Sequence, residues 1–343
     1  MNKQLVIDAV TRDKIVPFAP MAQFTVMVSV EMMKKSGAKF PEAHNDAVKM
    51  AKLGSMAFER FGFQSVKVPF DVALEVEALA GNRAVIEWGS MDIPPQIRDS
   101  GVKSVDELVM PSDLANAGRI PVVVEALRIL KKEYPDVTIV GTVNGPVNIM
   151  SLLFGFEAIL EWMIDEDDKF YRGMQFCTEF SRKYAKLVEE AGADAIVLGE
   201  AAASASVWGR KFYMEHIAPH HKTLCNDLNI PLVAHICGAN AELLPILPTI
   251  NIDGLGFDQF TDMSEANRIL GKKVKKVGNV DPVNVILRGT PELIEKAVYK
   301  CLDDGVDLLT LGCVLPMQTK DENLFAFTNS YKKYMAEKGI NIK

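Results

Sequence analysis

Eight short apolar runs recur along the chain, at 15–20, 65–70, 137–143, 193–199, 230–237, 254–257, 276–280 and 306–313. Several are unbroken, as in Ala195-Ile196-Val197-Leu198, the pattern of parallel strands buried on both faces. Amphipathic helical patterns with legible ends lie between them. One, over 176–191, stops at Gly192, although Glu189 and Glu190 in its last turn have the wrong sign for the helix dipole; packing must set that end. Another opens with Thr290 as N-cap and Pro291 at the first helical position, and Gly305 closes it. Gly192-Ala193-Asp194 and Gly305-Val306-Asp307 repeat one helix-to-strand joint. This alternation predicts an α/β fold, a TIM (β/α)8 barrel over residues 1–343 as one domain, with an N-terminal helical segment and an insertion after strand 2. Residues 77–121 fit no strand–helix unit and are expected to be that insertion, capping the barrel mouth.

Such a barrel keeps its chemistry at the C-terminal ends of its strands, and polar residues fall there. Asn144 and Glu200 end the third and fourth runs, and His235 and Cys237 the fifth. Asp258 follows the sixth, Asn279 and Asp281 the seventh, and Cys313 ends the eighth. His235 and Cys237, two apart on an extended segment, can point the same way. Cys313, at the equivalent end of another strand, would complete a His/Cys/Cys set. Thiolate and imidazole ligands suit zinc, whereas magnesium would want oxygens. Structural zinc sites close on four protein ligands, while three with an open position mark a catalytic one. Asp258 is a candidate fourth ligand that substrate would displace, or else a loop carboxylate accepting a ligand N–H.

Other polar residues divide less cleanly. Asn144, Glu200, Asn279 and Asp281 are candidates for cofactor contacts at the mouth, with turn and helix-capping roles as the plainer reading of Asn144 and Asp281. Glu77 would either reach the mouth or be a helix-surface charge. Cys177, Cys225 and Cys301 lie in helical patterns and read as packing. His216 and His220 are four apart, but Pro219 interrupts them and no His-Glu-x-x-His motif is present; they read as surface or structural residues. His44 belongs to no constellation.

Composition narrows the class. The 343 residues are 48% hydrophobic with a net charge of −7, which allows a large core and attracts neither nucleic acid nor an anionic membrane. The basic run from Lys272 to Lys276 reads as a solvated helix-to-strand junction. The apolar stretch 147–164 contains Asn148, Ser151, Glu157 and Glu161 and reads as an amphipathic helix, not a membrane span. Five cysteines with no export signal predict reduced thiols in the cytoplasm. No Gly-x-Gly-x-x-Gly, P-loop or nucleophile-elbow motif supports nucleotide or triad chemistry.

Leu232-Val233-Ala234-His235-Ile236-Cys237-Gly238, with Gly312-Cys313 and Pro316-Met317, resembles the methylcobamide:coenzyme M methyltransferases, a zinc-bearing branch of the uroporphyrinogen decarboxylase superfamily. The likeness extends through Pro41-Glu42-Ala43-His44, Gly145-Pro146-Val147, Glu190 to Asp194, and Gly278-Asn279. It implies a TIM barrel with zinc on His235, Cys237 and Cys313. It also implies a thiol substrate held by that zinc, and a methylated corrinoid (cobalamin-type) supplied by a partner corrinoid protein. Uroporphyrinogen decarboxylases carry an arginine-rich stretch after their first strand. Here that region reads Pro20-Met21-Ala22-Gln23-Phe24, which argues against tetrapyrrole decarboxylation. Glu200-Ala201 stands where the coenzyme M enzymes tend to show Asp-Pro, so the acceptor or donor can differ. The alternatives are loading of the corrinoid protein from a methylated substrate, tetrahydrofolate as acceptor, and a non-catalytic docking module. A sulfonate-bearing thiol would want a cation or a helix N-terminus near the mouth, and Arg83, Arg210 and Lys320 are candidate cations.

Overall fold

The computed structural model describes residues 3–165 and 168–342. Its strands, in chain order, are β1 (Ser65–Val68), β2 (Val85–Glu87), β3 (Gln96–Asp99), β4 (Thr138–Asn144), β5 (Ala195–Gly199), β6 (Leu232–His235), β7 (Gly254–Gly256), β8 (Lys275–Val280) and β9 (Leu308–Leu311). β2 and β3 pair as a separate antiparallel hairpin. The other seven run parallel in the order β1-β4-β5-β6-β7-β8-β9, a curled sheet of the TIM-barrel kind.

The eighth place is filled by residues just after the predicted run at 15–20. Met21 bridges to Leu309. Leu309 N–H donates to the Pro20 carbonyl at 2.9 Å, Ala22 N–H to Leu309 at 3.1 Å, and Gln64 N–H to Met21 at 2.9 Å. Pro17 and Pro20 have no N–H to donate, so the run itself cannot ladder as a full strand. The N-terminal helix, Lys3–Val10, plugs the other end: its Val6, Ala9 and Val10 pack against Val140, Val233 and Leu308.

The repeated Gly-x-Asp joint has a hydrogen-bonding reason. Asp194 accepts the Ile139 N–H at 2.9 Å and Asp307 that of Lys276 at 2.9 Å. Asp253 does the same for Leu232 at 3.0 Å. Each aspartate satisfies an amide at the foot of the neighbouring strand, which a barrel would otherwise leave unpaired. Asp307 also corrects the reading of the basic run. Lys275 and Lys276 are 1% exposed, not solvated, because β8 begins inside the run. Lys276 Nζ meets Asp307 at 2.5 Å and the Gly271 carbonyl at 2.7 Å; Lys275 Nζ meets the Lys14 carbonyl at 2.5 Å and Asp307 at 3.4 Å.

Two helix expectations change. The stretch 147–164 is two helices, Pro146–Phe154 and Phe156–Ile164, turned by 108° at Gly155, whose φ of +84° needs a glycine. No single described helix is long and apolar enough to cross a membrane. The helix expected over 176–191 runs Asp168–Glu190, and its ill-signed Glu189 is bound by Lys186 at 2.7 Å and by the Asn229 N–H at 2.9 Å.

Within 77–121 lie the β2–β3 hairpin and short 3-10 turns. The segment's end is tied to the barrel by Arg119, which pairs with Asp71 at 2.9 Å and Glu77 at 2.6 Å and lies 4.7 Å from the Trp88 ring centre. Asp71 also meets His44 Nδ1 at 2.9 Å, and burial notwithstanding, the His44 and Arg119 partners hold its carboxyl well below the usual carboxylate range. Glu77 is thus engaged in an ion pair with Arg119.

Candidate metal centre

His235 closes β6, Cys237 lies two residues beyond it, and Cys313 two residues beyond β9. Their ligand atoms all lie within 4.8 Å of one another, and among the described residues no other such group of three His, Cys, Asp or Glu is found. Cys237 Sγ is 3.5 Å from His235 Nε2 and 3.9 Å from Cys313 Sγ. Tetrahedral zinc, with Zn–S near ~2.3 Å and Zn–N near ~2.0 Å, puts sulfur ~3.5 Å from nitrogen and ~3.8 Å from sulfur. The donor set therefore fits zinc in both chemistry and spacing.

The hydrogen bond between the two sulfurs raises the Cys237 thiol above its usual range and lowers that of Cys313; two thiolates this close would repel, and a bound cation would let both ionise.

Backbone geometry holds the group in place. Gly256, opposite His235 in the β6–β7 register, leaves room for the ring: a Cβ there would come within 2.9 Å of His235 Nδ1. Gly238, just past Cys237, has φ +91°, and its N–H donates to the Asp258 carboxylate. Asn240, fully buried, braces the same loop by donating from Nδ2 to the carbonyls of Ile236 at 2.7 Å, Gly238 at 3.1 Å and Cys237 at 3.3 Å. Asn240 went unnoticed in the sequence; the available signal was an asparagine three residues after a ligand in a loop, a residue type that bonds nearby backbone.

The remaining candidates are placed elsewhere. Asp258 stays outside the 4.8 Å group; its two oxygens accept the Gly238 N–H and, at 3.0 Å, the Phe260 N–H, while burial raises its pKa. These two hydrogen bonds tie the ligand loop to the loop after β7. Asn144 is saturated: Nδ2 and N–H both donate to Glu75, at 2.6 and 2.8 Å, and Oδ1 accepts from Asn148. Glu200 is fully buried, accepting from Asn148 N–H at 2.9 Å and Val147 N–H at 3.3 Å at a helix N-terminus. It also contacts His221 Nε2 at 2.9 Å, whose Nδ1 meets the Tyr213 hydroxyl at 2.9 Å. Asn279 ties two loops, donating to the carbonyls of Asp258 and Thr261 at 3.1 and 3.0 Å. Asp281 caps the turn Pro282–Leu287 through Val283 and Asn284 N–H, at 2.8 and 2.9 Å. Glu200 and Asp281 are engaged by unpaired amides at helix starts, Asn144 by neighbouring side chains, and Asn279 by loop carbonyls.

His220 Nδ1 meets Thr178 Oγ1 at 2.8 Å and His216 packs at a tilt against Phe212, with ring centres 4.5 Å apart; neither joins the metal-ligand group. Cys301 donates to the Gly278 carbonyl at 3.2 Å. Of the three cation candidates, Arg83 pairs with Glu107 at 3.0 Å, and Arg210 and Lys320 are exposed.

Both the sequence and the fold have relatives. Residues 2–334 match the family model described as uroporphyrinogen decarboxylase (URO-D), and the chain belongs to that family. Within it the chain falls with the methylcobamide:CoM methyltransferases, transferases of the corrinoid-dependent type. It is 33% identical to methylcobamide:CoM methyltransferase MtbA of Methanosarcina mazei, over 92% of this chain and 93% of that one. It is 28% identical to a methylated-thiol–coenzyme M methyltransferase of the same organism, over 94% and 85% respectively. A solved structure of a methyltransferase from Methanosarcina mazei superposes with a TM-score of 0.91 at 29% identity, covering 97% of this chain and 98% of the other.

Proposed function

We propose that this protein binds zinc on His235, Cys237 and Cys313 and moves a methyl group between a methylated corrinoid and a thiol such as coenzyme M. The corrinoid would be presented by a separate corrinoid protein. One observation carries the reading: His235 and Cys237 at one strand end and Cys313 at another bring their ligand atoms within 4.8 Å of one another at the barrel mouth, with both Cys237 contacts near tetrahedral zinc spacing. Zinc bound there would hold a substrate thiol as thiolate at neutral pH, where a free thiol of pKa ~8.5 is mostly protonated.

The chain's own contribution is positioning. Ionisation gains about 30-fold in thiolate, but nucleophilicity falls as pKa falls, which returns much of that. Holding sulfur in line with the methyl group is worth far more, with effective molarities up to ~10⁵ M or above. Asn240 and Asp258 serve that end by fixing the Cys237 loop. Residues 77–121 are assigned as the cap that excludes water from the mouth. Five free cysteines suit a reducing compartment, the cytoplasm.

Metal analysis of the purified chain and a methyl-transfer assay from methylcobalamin to 2-sulfanylethanesulfonate test this. About one zinc per chain is expected, with turnover lost on chelation and restored by zinc. Full transfer by metal-free protein would sink the reading. The likeness to a methylated-thiol–coenzyme M methyltransferase favours, as a second direction, removal of methyl from a methylated thiol. Methylation of cob(I)alamin by such a thiol, followed spectroscopically, separates the two.

A further inference from the structure

Lys67 lies in the middle of β1 and is 2% exposed. The register pairs it with Val140, which packs in the barrel-interior cluster with Val233 and Val277. Paired residues on parallel strands share a face, so Lys67 enters the lumen. Among the described residues its ammonium has neither hydrogen bond nor ion pair. Burial alone, unopposed by a counter-charge, pushes it down to about 7. Lysines are almost never fully buried unless paired.

The register also fixes its height. His235 pairs with Gly199 and Gly199 with Asn144. Asn144 lies three residues beyond Gly141, the partner of Val68. Followed once round the barrel through Leu309 and Met21, paired positions return to the first strand about eight residues earlier, a drop of about one residue per strand. The three steps from β1 to β6 cancel those three residues. His235 therefore stands level with Val68, and Lys67 comes next below it, on the opposite wall.

Two hydroxyls share that lumen. Thr142 lies two beyond Val140 and Thr310 two beyond Leu308, on the same interior face. Both Oγ1 atoms are buried without a hydrogen-bond partner. A buried, unpaired ammonium and two unpartnered hydroxyls on one interior face of the barrel are groups that an anion would satisfy.

We propose that Lys67, aided by Thr142 and Thr310, is the subsite for the acidic tail of the thiol substrate, a sulfonate or carboxylate whose sulfur lies at the His235–Cys237–Cys313 centre across the lumen. The thiol end of this assignment rests on the methyl-transfer reading; the anion site stands without it. In a low-dielectric lumen an unscreened ammonium discriminates strongly between an acidic thiol and its neutral analogue.

Calorimetric titration of the full chain with ethanesulfonate, which has the acidic tail and no sulfur nucleophile, isolates the anion site. At pH 8 the expected result is binding with uptake of about one proton, read in two buffers of different ionisation enthalpy, because the anion restores the charged lysine. Lys67→Met should weaken this binding about 30-fold or more, with Lys67→Arg recovering part of it. In turnover, the ratio of kcat/KM for 2-sulfanylethanesulfonate over 2-sulfanylethanol should fall by a similar factor, and 3-sulfanylpropanoate shows whether carboxylates are accepted too. Ethanesulfonate that fails to bind wild-type protein, or binds K67M equally, overturns the proposal. Should K67M not fold, absence of proton uptake by the wild type overturns it alone. Binding and proton uptake without any thiol methylation would remove the methyl-transfer reading and leave the anion site standing.

Discussion

At the foot of the barrel, Lys275 and Lys276 are buried as deeply as Lys67, yet each ammonium reaches Asp307 and a backbone carbonyl. In the lumen below the mouth, Lys67 has no such partner, and Thr142 and Thr310 beside it are equally unsatisfied. One barrel thus treats the same residue type in two ways. Buried charge at the foot is neutralised within the chain because nothing else will ever enter there. Charge near the mouth is left open, which lowers stability and keeps binding capacity for something that comes from outside. The ligand loop makes a third case: Asn240 and Asp258 take up its backbone carbonyls and amides, leaving His235, Cys237 and Cys313 to meet one another.

The largest expected effect breaks the foot. Asp307→Asn keeps an acceptor for the Lys276 amide but strands two buried ammonium groups, and should cost about 3 kcal/mol in denaturant unfolding; a change under ~0.5 kcal/mol would mean that the pairing there is incidental. Next comes pH. Lys67 has a folded pKa of about 7 against 10.5 ordinarily, so between these values the unfolded chain binds more protons and stability rises with pH. The slope should be up to about 1.4 kcal/mol per pH unit, with the full penalty present below pH 7. Unfolding of wild type and Lys67→Met at pH 7, 8 and 9 checks it: the two should converge as pH rises, and parallel curves would show that Lys67 is already paired. The smallest effect sharpens the mouth. Asn240→Ala should leave the fold intact while lowering zinc affinity about 10-fold in competition with a chelator.

Much of this was readable in the chain, for reasons that differ by residue. His235, Cys237 and Cys313 were legible because their ligand chemistry is rare and strand ends place them together. Asn144, Glu200, Asn279 and Asp281 occupy equally suggestive positions, but strand ends, loops and helix starts also need donors and acceptors of their own, and sequence position cannot say which demand wins. Asp258 shows both sides, since a carboxylate beside a metal site and one holding a loop amide look alike in a string. Lys67 was passed over as part of an apolar run; a charge inside a strand buried on both faces was the signal. The Lys272–Lys276 run erred in the other direction, because the partner that buries it, Asp307, sits some thirty residues on.

Periodicity and residue chemistry were enough to determine the alternation of strands and helices, the barrel, and the three soft donors, since each depends on local pattern and on the fixed polarity of parallel strands. Which buried groups have partners was decided only by folding. That depends on register, on the one-residue descent per strand around a closed sheet, and on which distant side chain arrives at a given height. None of these is a property of any short stretch of chain, and they are what set Lys67 opposite His235.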